Sequence, residues 1–361
     1  MSERAVLRRT KRRPAITALG GGHGLSATLA ALRHLTDHIT AVVTVADDGG
    51  SSGRLRDELQ ILPPGDLRMA LAALCDDTEW GRTWRDVIQH RFSSLGPLDQ
   101  HAVGNLLIAG VWELLDDTVA GLDLVGKMLG ARGRVLPMSL EPVRIEAEVH
   151  RADGRHRIVR GQSAVARTAD PIERVRLVPA EPLECPEATE AVLEADWIVL
   201  GPGSWYTSLL PHLLVPVLRD ALLSTTARIV VTLNIEPEEA GETAGMRAHE
   251  HLGVLRRYAP DLRLEAVVAD PSSVDDLDRL DALCQSMGAR LLVRQVRRSN
   301  GSARHDPLRL AAALRDITEG VLGDVEPNPG HPVVGPNPGH PVVEPDLRTP
   351  AQGLGKGGPG A

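Results

Sequence analysis

The residues best equipped for chemistry lie between positions 46 and 66, where the chain reads ADDGGSSGRLRDELQILPPGD. Two adjacent carboxylates, Asp47 and Asp48, follow an apolar run. Such oxygens are the ligands Mg²⁺ takes while keeping part of its water shell, and they also accept hydrogen bonds from ribose or sugar hydroxyls. Gly49, Gly50, Ser51, Ser52 and Gly53 then offer amides and hydroxyls to a phosphate, and Arg54 or Arg56 a charged fork. The competing reading is an Asx-type turn capping the next helix, which accounts for one or two of these residues and leaves the others without a role. Asp66, in PPGDLR, has the same two readings, helix N-cap or ligand contact.

Three further loops repeat the theme. GGGHG at 20–24 follows an apolar run and opens a helical one. There Gly21, Gly22 and Gly24 let the backbone approach a ligand, the helix N-terminus favours an anion, and His23 can donate to a phosphate or act as a general acid. HAVGN at 101–105 puts His101 and Asn105 on one side of a helix's first turn, with Gly104 permitting close packing or ligand approach. GPGSWYTS at 201–208 is a second glycine loop, where Ser204, Tyr206 and Thr207 add hydroxyls beside Gly203. Two such loops suit a ligand with separated polar ends, for example a nucleotide diphosphate joined to a sugar. The first loop lacks the third glycine of the GxGxxG fingerprint and the P-loop lysine, which disfavours a nicotinamide dehydrogenase. No CxxC, HExxH or GxSxG occurs, and no nucleophile is evident.

The elements that must hold these loops follow from apolar runs and Gly/Pro punctuation. Residues 15–19 and 39–45 read as buried strands around a helix at 25–35, a βαβ unit that implies a parallel sheet with right-handed crossovers. The grammar returns with strands at 196–200 and 228–233 around a helix from about 208, and with candidate strands at 263–268 and 290–294. Helices are expected at 66–75, 80–92, 102–115 and 121–130. Residues 143–149 and 156–178 alternate apolar and polar, so an antiparallel meander is expected within about 135–180. The fold class is therefore α/β, a Rossmann-like three-layer αβα with a mostly parallel sheet and an inserted meander, spanning 15–320.

Composition bounds the rest. With 42% hydrophobic positions, the 361 residues can bury a full core. A net charge of −8 and an aromatic content of 2% argue against a nucleic-acid surface. Residues 1–13 carry six Arg or Lys against one Glu, a basic arm that reads as a disordered tail over 1–14. From 326 to 361, 17 of 36 residues are Pro or Gly and PNPGHPVV occurs twice, so 321–361 reads as a disordered tail. No signal-peptide core or membrane span is found, and Cys75, Cys185 and Cys284 are unclustered, so a cytoplasmic protein with reduced thiols is expected.

The series GGGHGLSATLAALR, ITAVVTVADDGGSSGRLR, LPPGDLRMALAALC, HAVGNLLIAG and DWIVLGPGSWYTSLLPHLLVP closely resembles the bacterial gluconeogenesis factor family, especially its actinobacterial branch. The resemblance runs from about 15 to 318. It implies a UDP-N-acetylglucosamine-binding regulator of peptidoglycan synthesis and cell shape under gluconeogenic growth, in a superfamily with the phospholactyl transferase of deazaflavin-cofactor synthesis. It carries over the first glycine loop, Asp47, Asp48, Ser51, Ser52, Asp66, Gly104, Asn105 and the loop from Gly201 to Thr207. Where the family commonly reads Gln-Pro-Gly-Glu-Thr after the strand ending near Asn234, this chain has Glu239, Ala240, Gly241, Glu242 and Thr243, so the Gly-Glu-Thr core survives without the Gln and Pro. RHDP at 304–307 also matches, with Arg304 open to a diphosphate or to a structural salt bridge.

The expected function is thus non-catalytic binding of UDP-N-acetylglucosamine or a related nucleotide sugar, with cell-wall precursor enzymes or regulatory proteins as partners and homo-oligomerisation open. The alternative is a phospholactyl-transferase-like enzyme. In it, Mg²⁺ on Asp47 or Asp48 would neutralise a diphosphate leaving group.

Overall fold

A computed structural model describes residues 13–151, 153–235 and 240–320. The basic arm lies almost wholly, and the Pro/Gly tail wholly, outside these residues, as does Glu239.

The described chain opens with β1 (Ile16–Gly20), α1 (Gly22–Leu32) and β2 (Ile39–Val43). Five helices follow: α2 (Gly50–Leu59), α3 (Pro64–Leu74), α4 (Glu79–Gln89), α5 (Val103–Leu115) and α6 (Thr118–Met128). Then come β3 (Arg134–Pro137), β4 (Arg144–His150), β5 (His156–Arg160), α7 (Gln162–Ala166) and β6 (Ile172–Val178). The second half runs α8 (Pro186–Leu193), β7 (Trp197–Leu200), a π-helical turn (Trp205–Leu209), α9 (Leu210–Leu214), α10 (Pro216–Ser224) and β8 (Arg228–Thr232). It continues through α11 (Ala248–Tyr258), β9 (Ala266–Ala269), α12 (Leu277–Ser286), β10 (Arg290–Val293) and α13 (Pro307–Thr318).

Seven strands form one parallel sheet in the order β10-β9-β8-β7-β1-β2-β3. Of its inner strands, β1, β7 and β9 are buried along their whole length and β2 and β8 at all but one residue, because helices cover both faces. From β1 the chain steps outward to β2 and β3, then returns to place β7 on the other side of β1. This reversal leaves a crevice beyond the carboxyl ends of β1 and β7, the place where open α/β sheets receive ligands. The two glycine loops leave those two strands.

The meander is a three-stranded antiparallel sheet, β5-β4-β6, with β4 central. Along β4, Ile145, Ala147 and Val149 are buried and alternate with Glu146, Glu148 and His150, as the period of two requires. β3, a short edge strand, is absent from the elements expected on sequence. The helix expected from about 208 is replaced by the π-turn and two short helices, since Pro211 stands in the first turn of α9 and Pro216 opens α10. No helix among the described residues is long and apolar enough to cross a membrane.

Candidate functional site

The two glycine loops meet over the crevice. A Cβ at Gly24 would stand 2.1 Å from the Pro202 carbonyl oxygen and 2.9 Å from the Gly203 Cα, so only glycine lets the loops pack against each other. Gly21 is equally confined, its missing Cβ falling 2.4 Å from Thr44 Cγ2 and 2.6 Å from Asp66 Oδ2. Gly22 needs its glycine for a different reason, a φ of +56°. On the other side, Asn234 clasps Gly203: its Oδ1 accepts from the Gly203 amide at 2.9 Å and its Nδ2 donates to the Gly203 carbonyl at 3.1 Å. Asn234 therefore shapes the second loop, and Ser204 stands half-buried beside Gly203.

Asp66 forms the floor. It is the third residue of α3, whose cap is Pro63, and so is not the N-cap that its position after Pro-Pro-Gly suggests. Its carboxylate accepts from the Gly22 amide, and the residue as a whole is half-buried. Desolvation by the surrounding protein, then the nearby charge of Asp47, raise its pKa to about 7. A carboxyl group that shares its proton range with neutral pH can either donate to an anion or ionise beside a cation.

Arg68, two residues further along α3, lies in the same site, and nothing in the PPGDLR motif itself marks it as buried. It is 3% exposed; its Nε donates to Asn105 Oδ1 at 2.9 Å, and its Nη1 donates to Gln89 Oε1. Both partners are neutral, and no carboxylate pairs with it among the described residues. Burial lowers its pKa to about 10, the Arg91 charge adding to the effect while Asp66 and Asp47 oppose it. His23 is exposed at the mouth, and partial desolvation together with the charges of Arg304 and Arg68 pushes its imidazole below its ordinary value. Arg304, itself exposed, makes no ion pair among the described residues, so the structural salt bridge is not what it supplies. Gly22, His23, Asp47, Asp66, Arg68, Gly203, Ser204 and Arg304 thus ring one crevice. It brings two guanidinium groups and two acids to the edge of the two glycine loops, whose Gly22 and Gly203 amides are already held by Asp66 and Asn234.

The other residues picked out on sequence are brought near this crevice as its scaffold. Ser51 and Ser52 are not loop residues offering hydroxyls; they sit in the first turn of α2, each 3% exposed. Ser51 Oγ accepts from the Ala102 amide at 3.3 Å and from Asn105 Nδ2 at 3.0 Å, and lies 3.1 Å from His101 Nδ1. His101 precedes α5 rather than lying in its first turn, the cap being Ala102. Its pKa is lowered by burial and by the Arg54 charge. A Cβ on Gly104 would press on Ile88 at 2.8 Å and on Arg68 Cδ at 2.9 Å, so its role is helix packing. Arg54 turns its fork outward to the Pro97 and Asp99 carbonyls, at 3.0 and 2.6 Å, because α2 points it away from the crevice.

The two adjacent acids part company. Asp47 Oδ1 accepts from the Gly49 amide at 2.9 Å, the Asx turn that opens α2, and its other oxygen lies toward Gly65 in the floor. Asp48 points the opposite way. Its Oδ1 accepts from the Ser163 amide at 2.8 Å, and its Oδ2 lies where a Cβ on Gly161 would stand, so it ties α7 of the meander to the main sheet. The carboxylates that converge are therefore Asp47 and Asp66. With Asp48 committed to Ser163, these two carboxylates fit a Mg²⁺ ion better than Asp47 with Asp48.

Glu242 caps the second loop from behind, its Oε1 accepting from the Tyr206 and Thr207 amides at 2.9 and 3.3 Å. Thr207 and Thr243 are wholly buried. Tyr206 turns away from the crevice into a separate groove between α11 and α12, beside His249 and Arg257, because the π-turn rotates successive side chains apart.

Comparison with known proteins agrees with this architecture. The family described as 2-phospho-L-lactate transferase CofD matches residues 16–290. A relative from Mycobacterium tuberculosis strain H37Rv is 48% identical over 318 residues, covering 86% of this chain and 92% of its own. The gluconeogenesis factor of Bacillus subtilis strain 168 is 36% identical over 319 residues, 84% of this chain and 98% of its own. The chain belongs to the gluconeogenesis factor family. A crystal structure of a UPF0052-family member from Bacillus halodurans superposes with a TM-score of 0.74 at 35% identity, covering 84% of this chain and 99% of that one. The CofD match places the gluconeogenesis factors and the phospholactyl transferase in one superfamily, and its span takes in both glycine loops, the paired acids and Arg68.

Proposed function

We propose that the protein binds a UDP-sugar, UDP-N-acetylglucosamine in the first instance, in the crevice beyond β1 and β7. By binding it, the protein regulates carbon flow into peptidoglycan and cell shape under gluconeogenic growth without consuming the ligand. The observation that carries this reading is the buried Arg68 guanidinium, held by two neutral side chains and set behind a glycine loop whose His23 also feels Arg304. A buried cation without an ionic partner costs several kcal/mol, and a diphosphate arriving at the N-terminus of α1 offsets that cost. Asp47 and Asp66 supply acceptors for hydroxyls at the other end of such a ligand. A regulator of this kind acts on its protein partners by binding the sugar nucleotide more tightly in one conformation than in another.

A second reading has its own observation, the proximity of Asp47 to Asp66 in a chain that matches the CofD family. If Mg²⁺ is held there it supplies charge neutralisation at a diphosphate leaving group. In that case this chain's part is to orient the diphosphate with Arg68 and the N-terminus of α1 and to keep Asp66 ionised. Calorimetry with UDP-N-acetylglucosamine, with and without Mg²⁺, followed by an assay for its consumption, separates the two. Saturable binding with no turnover supports the regulator; metal-dependent product formation contradicts it.

A further inference from the structure

Away from the crevice, the outward face of the meander brings together side chains of metal-binding type from all three strands. Glu148 and His150 lie on the same face of β4, two residues apart. His156 of β5 pairs in register with His150, and Glu173 comes from β6, beside a register shift between Glu148 and Val149. His156 Nδ1 stands 3.1 Å from Glu173 Oε2 and 3.8 Å from Glu148 Oε1, and one donor atom from each of the three lies within 4.8 Å of the others.

We propose that Glu148, His156 and Glu173 form a site for a first-row divalent cation, with zinc(II) as the best fit. Tetrahedral zinc holds nitrogen and carboxylate donors at about 2.0–2.2 Å, which sets them roughly 3.4 Å apart. The observed pairs bracket that spacing. His150, its ring centroid 5.1 Å from that of His156 and nearly perpendicular to it, stands where a side-chain rotation can supply a fourth ligand; water fills the position otherwise.

The charge pattern on this face distinguishes the cluster from ordinary cross-strand ion pairing. Glu146 takes both Arg160 and Arg176, and Arg157 takes Asp170. Among the described residues, Glu148 and Glu173 pair only with His156, and Arg174, which stands in register opposite Glu148, forms no ion pair with it. Two carboxylates therefore converge on one imidazole, a donor set whose charge a dication balances. The mixed nitrogen and oxygen ligands favour zinc over magnesium, which prefers oxygen alone. The side chains are 43%, 52% and 56% exposed, so an ion enters without any movement of the fold. Once bound, it cross-links both outer strands of the meander to β4.

The test is a calorimetric titration of zinc into the full chain, beside the His156→Ala variant and the double variant Glu148→Gln/Glu173→Gln. The proposal expects one equivalent fewer in His156→Ala, at least a tenfold weaker site in the double variant, and with Mg²⁺ no heat that His156→Ala removes. Zinc should also raise the melting midpoint of the parent but not of His156→Ala, whose midpoint without zinc is unchanged because the residue lies on an open sheet face. The sequence carries other histidines, His331 and His340 among them. Zinc binding that persists with the same stoichiometry in His156→Ala therefore overturns the proposal, as does the absence of saturable binding in the parent.

Discussion

The Nε–H of Arg68 donates to Asn105 Oδ1 at 2.9 Å, and Asn105 in turn donates through Nδ2 to Ser51 Oγ at 3.0 Å. A chain of neutral groups thus fixes a buried cation across α3, α5 and the start of α2. Arg68→Met should cost about 1–3 kcal/mol of stability, because the relief of a desolvated charge is set against the loss of the donor to the buried Asn105 Oδ1. It should weaken nucleotide-sugar binding by more than about tenfold, the loss of about 1.4 kcal/mol or more from one charge-assisted contact. Thermal melting beside calorimetry checks this. A large fall in melting midpoint with unchanged affinity would reassign Arg68 to the scaffold.

Asp66 makes a prediction about pH. Its folded-state pKa of about 7 lies above the ordinary 3.8. The stability associated with its proton is therefore full below about pH 4 and is lost as pH rises toward about 7, because in that window the folded state holds a proton that the unfolded state has released. Ligand binding should follow the same proton. Between about pH 6 and pH 8, affinity for the anionic ligand should fall roughly tenfold in the parent and stay flat in Asp66→Asn. Saturating Mg²⁺ should remove or reverse the slope if a cation takes the proton's place.

Gly24→Ala places a methyl group against the Pro202 carbonyl oxygen, 2.1 Å from its ideal position. Backbone cannot rotate away as a side chain can, so the loops must separate. We expect a loss of about 2–4 kcal/mol in urea denaturation together with loss of ligand binding.

Asp48→Ala should behave differently from Asp47→Ala. Removing the Asp48 contact to the Ser163 amide releases α7 at a cost of about 1 kcal/mol, visible as faster hydrogen exchange over residues 162–166. Ligand affinity should hold within about twofold. Asp47→Ala should lower affinity, and should abolish any effect of Mg²⁺.

Much of the fold was legible because its signals are local. β1, β2, β7 and β8 are mostly apolar, β-branched runs that lead into Gly20, Asp47, Gly201 and Asn234, and the alternation of β4 marks the meander. β3 was missed because four residues beside Gly133 carry too little periodicity to stand out. The site was legible as loops and less so as contacts. Glycine spacing located both loops, and PPGDLR located the floor. Which carboxylate turns inward depends on long-range partners, however: Asp48 is claimed by Ser163, 115 residues away, and Asp47 is left facing Asp66. Arg68 went unread for the same reason. Only the packing of α3 against α5 shows that it is buried with neutral partners.

The most direct measurement is a crystal structure of the protein with UDP-N-acetylglucosamine. The account predicts the diphosphate on the Gly22–His23 loop at the β1/β7 crevice, within charge-assisted contact of Arg68 or Arg304, with sugar or ribose hydroxyls on Asp47 or Asp66. A ligand seated elsewhere, for example in the groove between α11 and α12, or one that leaves Arg68 and the first glycine loop untouched, would contradict it.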